Sequence, residues 1–401
     1  MAKFKMLDGN SAAVEAIKSA NVKVISAYPI TPQSSISEIL SELVANGSLD
    51  AKYLRVESEH TAMSAAIGAQ LTGVRAATAT SSVGLALMHE ILNVASGCRV
   101  PIVMPVVNRA LASPWSLWCD HQDTMAERDS GWMQFYCENG QDIYDLILMA
   151  YKIAEHEEVL TPAMVCLDGF FLSHSMQKIQ VEKQEEIDKF IGEYKLSNTY
   201  LDPRDPMIIN NLTPSDEFTE MRYQQKIGFD KSIEIMDKVF VEFEEKFGRR
   251  HRAVEGYRLE DADYAIVTLG SMSGTAKHTV NLLRDQGLKV GVLKIVSFRP
   301  FRPELVAEML KNVKMVGVLD RSAGLGAHGA PVWQEVNNAL SNCKDKLVKS
   351  YIGGLGGRDI SIQTITDIFE DLKNGKQNEE GSVWIDLKEN AMNIRQVLKH
   401  V

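Results

Sequence analysis

Residues 22–35 read VKVISAYPITPQSS, and this stretch decides the fold. VKVISA (22–27) is a short β-branched run, which predicts a strand. Pro29 and Pro32 stop it. Helical spacing follows from Ser34 to Ala45 and closes at Asn46-Gly47. A strand that passes through a proline-fixed turn into a helix is the opening of an α/β unit. The alternation continues outward. Residues 11–20 (SAAVEAIKSA) predict a helix with Asn10 or Ser11 as cap. Downstream come a short strand at 53–56, a small-residue helix at 58–71 and a strand at 75–80. A turn at 81–84 then leads into a helix at 85–94. A buried strand at 101–107, a helix at 141–156 and a strand at 163–167, ending on Asp168-Gly169, complete the pattern. Strands and helices at this spacing predict an α/β domain with a mainly parallel sheet over residues 1–195.

Periodicity weakens after that. Residues 196–257 read as an extended connection with one long charged helix, KSIEIMDKVFVEFEEKF at 231–247. It returns at YAIVTLGS (264–271), with a helix at 275–286 and strands at 289–295, 315–319 and 347–352. Residues 258–401 are therefore expected to form a second, smaller α/β domain, its last thirty or so residues as helical padding.

The 401 residues exceed one ordinary core, so two domains are the natural division. Hydrophobic residues make up 45% and the net charge is −10. This acidic, evenly mixed chain has no basic stripe to track a phosphate backbone, so nucleic acid is not an expected partner. No apolar run reaches the length that spans a bilayer, and residues 1–10 carry no apolar leader. No membrane partner and a cytoplasmic location are expected. The five cysteines form no C-x-x-C pair; no metal or iron–sulfur cluster is expected within this chain.

Four places invite a chemical reading. Thr31 stands between two prolines at the carboxyl end of a strand, where open α/β sheets bind ligands; it serves either a ligand or a local cap. Glu57 and Glu59 flank Ser58 at a helix start. One carboxylate there is either a capping charge or a group that trades a proton with a cofactor nitrogen. Residues 108–132, NRALASPWSLWCDHQDTMAERDSGW, form a long polar and aromatic loop after a buried strand, and such loops are often functional. In it, Arg109 is either a clamp for a substrate carboxylate or half of an ion pair that closes the loop. The glycine-rich stretches at 270–275, 321–329 and 352–358 fit no nucleotide-binding register and read as tight turns, although the first opens a helix where an anion can sit. His121 and His328 have no partner at ligand spacing and are not expected to bind metal.

YPITPQSS (28–35), VESEHTAMSAAIGA (56–69), TATSSVGLALMHE (78–90) and residues 107–132 together resemble the α subunits of pyruvate:ferredoxin oxidoreductases. These are thiamine diphosphate-dependent members of the 2-oxoacid:ferredoxin oxidoreductase family. TLGSMSGTAK, SFRPFRPE and LDRSAGLGAHG extend the resemblance over nearly the whole chain. It implies a pyrimidine-binding domain followed by a transketolase C-terminal-like domain. It implies that Glu59 hydrogen-bonds N1′ of the aminopyrimidine ring, that Pro29 lies in the turn against the cofactor, and that Thr31 and Arg109 contact the 2-oxoacid carboxylate. The chain has no Gly-Asp-Gly motif, so the diphosphate and Mg²⁺ are expected on a partner subunit. The iron–sulfur clusters are expected on partners too: a ferredoxin-like subunit within a complex that also holds a γ-type subunit. The implied reaction converts pyruvate and coenzyme A to acetyl-CoA, CO₂ and reduced ferredoxin. Its alternatives are the same scaffold acting on a branched-chain 2-oxoacid, 2-oxoglutarate or oxalate, or a non-catalytic structural subunit. Thr31 within YPITP leans toward a monocarboxylate with a small or apolar tail.

Overall fold

The computed structural model describes residues 3–195, 200–343, 346–375 and 381–388. The chain divides into two units. The first is Met1–Glu255 with Leu269–Ser271 and Ile295–Arg302; the second is Gly256–Thr268, Met272–Lys294 and Pro303–Val401.

In the first unit, three strands run in the order Lys52–Arg55, Val24–Ala27, Ala76–Ala77, and four in the order Val103–Asn108, Ala163–Asp168, Met133–Tyr136, Ser297–Arg299. A parallel bridge from Thr80 to Val106 joins the two runs. Within these two runs the strands pair in parallel, except Ser297–Arg299, which is antiparallel to Met133–Tyr136. Val103–Asn108 and Ala163–Asp168 are buried at every residue, as parallel strands covered on both faces must be. From Val24–Ala27 the chain moves to the edge strand Lys52–Arg55, then crosses back to Ala76–Ala77 on the other side. That reversal is a topological switch point, and the crevice it opens lies at the carboxyl ends of the strands.

Three helices show how the sequence positions this edge. Gly9–Ser19 is capped by Asp8, whose Oδ1 accepts the Ser11 N–H at 2.7 Å. This corrects the expectation of Asn10 or Ser11. The helix starts two residues earlier, and Asn10, fully buried, donates instead to the Pro32 carbonyl at 2.8 Å and to Ser35 Oγ at 2.7 Å. Glu59–Gln70 is capped by Ser58. The turn expected at 81–84 is already helical from Ser82, and the single expected helix is two, Ser82–Leu87 and His89–Gly97. The long charged helix runs from Phe218 to Phe247. Ser232, Ile235, Met236, Val239, Phe240 and Phe243 form its buried stripe at helical spacing, while its other faces carry the charge that made the segment look like a connection.

The second unit holds a six-stranded sheet in the order Val383–Trp384, Leu347–Ile352, Met315–Asp320, Tyr264–Thr268, Val290–Ile295, Val254–Tyr257. Its core packs Ile266, Val292 and Leu319 against Val280 and Phe369. The helical padding expected for the last residues is corrected at Val383–Trp384, which pairs in parallel with Tyr351 and Ile352; residues 389–401 lie outside those described. The N-terminal residues also add a strand, Lys3–Leu7, antiparallel to Gln177–Val181. Among the described residues no helix is long and apolar enough to cross a membrane.

Candidate functional site

The turn after Val24–Ala27 leaves Tyr28, Pro29 and Thr31 exposed at the switch point. Asn10 holds it from below through the Pro32 carbonyl. Arg109, the first residue beyond Val103–Asn108, reaches this turn: its Nη1 donates to the Thr31 carbonyl at 2.7 Å. Thr31 and Arg109, chosen separately from the sequence, therefore touch. Arg109 is 4% exposed, and its Nε is buried with no hydrogen-bond partner among the described residues. Its guanidinium is engaged by a backbone carbonyl and not by a loop carboxylate. Burial lowers the Arg109 pKa, and the nearby charges of Asp123 and Glu59 oppose that shift.

The two glutamates separate. Glu57 is exposed and accepts from Thr61 Oγ1 at 2.6 Å, beside the Ser58 cap. Glu59, the first residue of its helix, turns inward and is 6% exposed. It packs over Gly84. A Cβ at that position would lie 2.6 Å from Glu59 Oε1 and 2.7 Å from Thr80 Oγ1, so the absent side chain is what makes room for the carboxylate. Around this edge Ser26 Oγ, Thr78 Oγ1, Thr80 Oγ1 and Ser81 Oγ are buried with no partner among the described residues. Buried polar atoms are ordinarily satisfied; a row of them at the end of a sheet suits a polar ring held there.

The loop at 108–132 contains a short helix, Gln122–Ala126, and leads into the buried strand Met133–Tyr136, which the sequence pattern does not separate from it. Its tryptophans divide. Trp132 is fully buried and donates to the Leu92 carbonyl at 2.9 Å, whereas Trp115 and Trp118 are exposed. Asp123 and Asp168 are buried acids in this region. Asp168 accepts from His121 Nε2 at 2.7 Å and from the Ser271 backbone and hydroxyl at 3.1 and 2.5 Å. The helix start expected to suit an anion thus meets the chain's own carboxylate. Cys119, His121 and Asp168 offer ligand atoms within 4.8 Å of one another. Sequence spacing cannot see that group, because Asp168 lies on another strand, and the hydrogen bonds just given already occupy both Asp168 oxygens. Gly84, Thr80 and Asp123 were likewise missed. SSVG (81–84) reads as a turn into the next helix, and nothing local marks which loop acid is buried.

Comparison with known proteins fits this geometry. Residues 15–240 match the family "Pyruvate flavodoxin/ferredoxin oxidoreductase, thiamine diP-bdg", and residues 262–365 match "Pyruvate:ferredoxin oxidoreductase core domain II". The chain is 47% identical over 391 residues to pyruvate synthase subunit PorA of Methanocaldococcus jannaschii, covering 97% of this chain and 99% of the relative. It is 44% identical over 390 residues to ketoisovalerate oxidoreductase subunit VorA of Pyrococcus horikoshii, covering 96% and 98%. A 2-oxoglutarate:ferredoxin oxidoreductase structure from Magnetococcus marinus shares the fold, with a TM-score of 0.70 at 19% identity over 92% of this chain; the chain spans 65% of that one's length. With the first match covering the switch-point sheet and its crevice, and relatives alike from end to end, the chain belongs to the pyruvate flavodoxin/ferredoxin oxidoreductase family.

Proposed function

We propose that this chain is the α-type subunit of a pyruvate:ferredoxin oxidoreductase, which converts pyruvate and coenzyme A to acetyl-CoA, CO₂ and reduced ferredoxin. One observation carries the reading. Buried Glu59 over Gly84, and Arg109 on the Thr31 turn, stand at the switch point of a chain 47% identical to a pyruvate synthase subunit over 97% of its length. The unpartnered hydroxyls at that edge suit the pyrimidine side of thiamine diphosphate. When bound, that cofactor supplies the electron sink for loss of CO₂. In this reading Glu59 holds a proton at the ring's N1′, and Pro29 lies against the ring. Arg109 and Thr31 orient the 2-oxoacid carboxylate, a task a planar guanidinium suits. The diphosphate, Mg²⁺ and iron–sulfur clusters belong to partner subunits, among them a ferredoxin-like and a γ-type chain. The whole complex works in the cytoplasm. This division assigns residues 1–195 to the cofactor and 258–401 to the second domain.

A second reading keeps the site and changes the acid. Ketoisovalerate subunits are 44% identical to this chain, so a branched-chain 2-oxoacid is the rival substrate, and relative rates on the two acids decide between them.

The test is Glu59→Gln in the assembled complex. Turnover should fall by about 10² to 10⁴, the range for losing a positioned acid–base group. Exchange of the cofactor's C2 proton should slow in parallel. Unchanged exchange would remove Glu59 from this role, and Glu57→Gln, expected to be silent, is the matched control.

A further inference from the structure

Asp123 is 2% exposed, yet its carboxylate receives four donors. One oxygen, Oδ2, accepts the backbone N–H groups of both Ser82 and Arg109 at 3.0 Å each. The other accepts Asn108 Nδ2 and the Thr124 N–H, both at 2.8 Å. Four donors fill a carboxylate's ordinary capacity. The two amides on Oδ2 come from opposite sides of the site. Ser82 starts the helix that carries Gly84, the floor under Glu59. Arg109 carries the guanidinium that reaches Thr31.

Ser82 has φ +51°, a left-handed conformation that a non-glycine residue keeps only where its surroundings dictate it. Here they do. Its N–H goes to Asp123, and its hydroxyl donates to the Ala110 carbonyl at 2.5 Å. Asn108 also donates to Thr124 Oγ1 at 2.9 Å, which meets the Tyr136 hydroxyl at 2.7 Å. The network is buried throughout, so it has one arrangement.

We infer that Asp123 is a positioning residue that sets the spacing between the Glu59 side and the Arg109 side of the site. It rests on the function proposed above, since the two sides matter only if both serve one reaction. It touches neither 2-oxoacid nor cofactor and acts through the Ser82 and Arg109 backbone. An amide in its place has one acceptor oxygen and turns an NH₂ group toward donors. Asp123→Asn therefore sets two donors against each other at Asn108. The reciprocal pair Asn108→Asp/Asp123→Asn restores a donor facing an acceptor at position 108 and keeps the buried charge, leaving only the Thr124 N–H against the new NH₂ group.

The test uses the assembled complex with Asp123→Asn, the reciprocal pair, Glu59→Gln and Arg109→Ala. Asp123→Asn should lower kcat/KM for pyruvate by about tenfold to a hundredfold, the scale of losing hydrogen bonds to a charged group. The KM for coenzyme A should stay where it is. Without turnover, hydrogen exchange should quicken in the peptides that hold Ser82 and Arg109 and stay constant in the strand Ala163–Asp168. The reciprocal pair should recover part of both effects, because it re-forms the contact at position 108 but not the one to the Thr124 N–H. Unchanged kcat/KM, unchanged exchange, or a reciprocal pair no better than the single variant overturns the proposal. If Asp123→Asn fails to assemble, the reciprocal pair decides alone: it must assemble and turn over, and its failure also overturns the proposal. Loss of activity in Glu59→Gln and Arg109→Ala with Asp123→Asn intact sinks the positioning role only. Full activity in Glu59→Gln and Arg109→Ala sinks the site assignment, and the positioning role with it.

Discussion

Both units end parallel strands on loops at a carboxyl edge, and the two edges differ in what their polar groups hold. In the first unit, Thr78, Thr80 and Ser81 keep buried hydroxyls without hydrogen-bond partners among the described residues, as Arg109 keeps its Nε. In the second, Asp320 spends its carboxylate on the start of helix Pro331–Ala339, accepting the Val332 N–H at 2.9 Å and the Trp333 N–H at 3.2 Å. Glycines at positive φ, among them Gly326, Gly329 and Gly354, carry the turns around it. An unsatisfied buried polar group costs about 1 to 3 kcal/mol. A fold that tolerates several at one edge has a use for them there, while Asp320, both of whose donors belong to one helix start, braces that helix. One sheet design thus carries the candidate site in one unit and a brace in the other.

The sharpest way to break that contrast is at Gly84. Gly84→Ala places a methyl group within 2.6 Å of the present Glu59 Oε1 and must push the carboxylate aside. Turnover should fall by about 10²-fold, as for a misplacement of about 1 Å. The melting temperature should fall as well, because the methyl group also lies 2.7 Å from the hydroxyl of fully buried Thr80, but the loss of turnover should be the larger effect. Full turnover would mean that the position of Glu59 is not critical.

The mirror experiment in the second unit affects stability and not catalysis. Asp320→Ala removes the acceptor for two helix-start amides and should cost about 1 to 3 kcal/mol, with the KM for pyruvate unchanged. Burial also pushes the Asp320 carboxyl up to about 8. The folded chain holds that proton from about pH 4, the unfolded value, up to about pH 8. The unfolded state binds fewer protons across that window, so Asp320 makes stability fall as pH rises through it. Asp320→Asn should flatten this fall in thermal melts taken at several pH values. An undiminished slope would locate the pH dependence elsewhere.

The comparison also shows what was readable beforehand. Strands such as Val103–Asn108 are nearly continuous apolar runs, and helix Gly140–Ala154 is a long, mostly apolar stretch that starts at the capping Asn139, so their type and order are local properties. The proline-bounded turn at Thr31 is local too. Lys3–Leu7 was not legible, because its partner is Gln177–Val181 and its apolar Phe4 and Met6 face outward. Nor was the choice between Glu57 and Glu59. Both sit beside the same cap, and only the helix's direction against Gly84 buries one of them. Asp123 is the extreme case: its donors come from residues 82, 108, 109 and 124, and no spacing rule gathers them.

The central claim is that the first unit's edge grips a 2-oxoacid carboxylate, and Arg109 tests it most directly. Arg109→Lys keeps the charge and loses the planar fork. Measured in the assembled complex, the KM for pyruvate should rise by about tenfold, within the range for one charge-assisted hydrogen bond. The KM for coenzyme A and the melting temperature should hold. If both KM values rise together and the melting temperature drops, Arg109 merely fastens its loop to the Thr31 turn, and the claim is wrong.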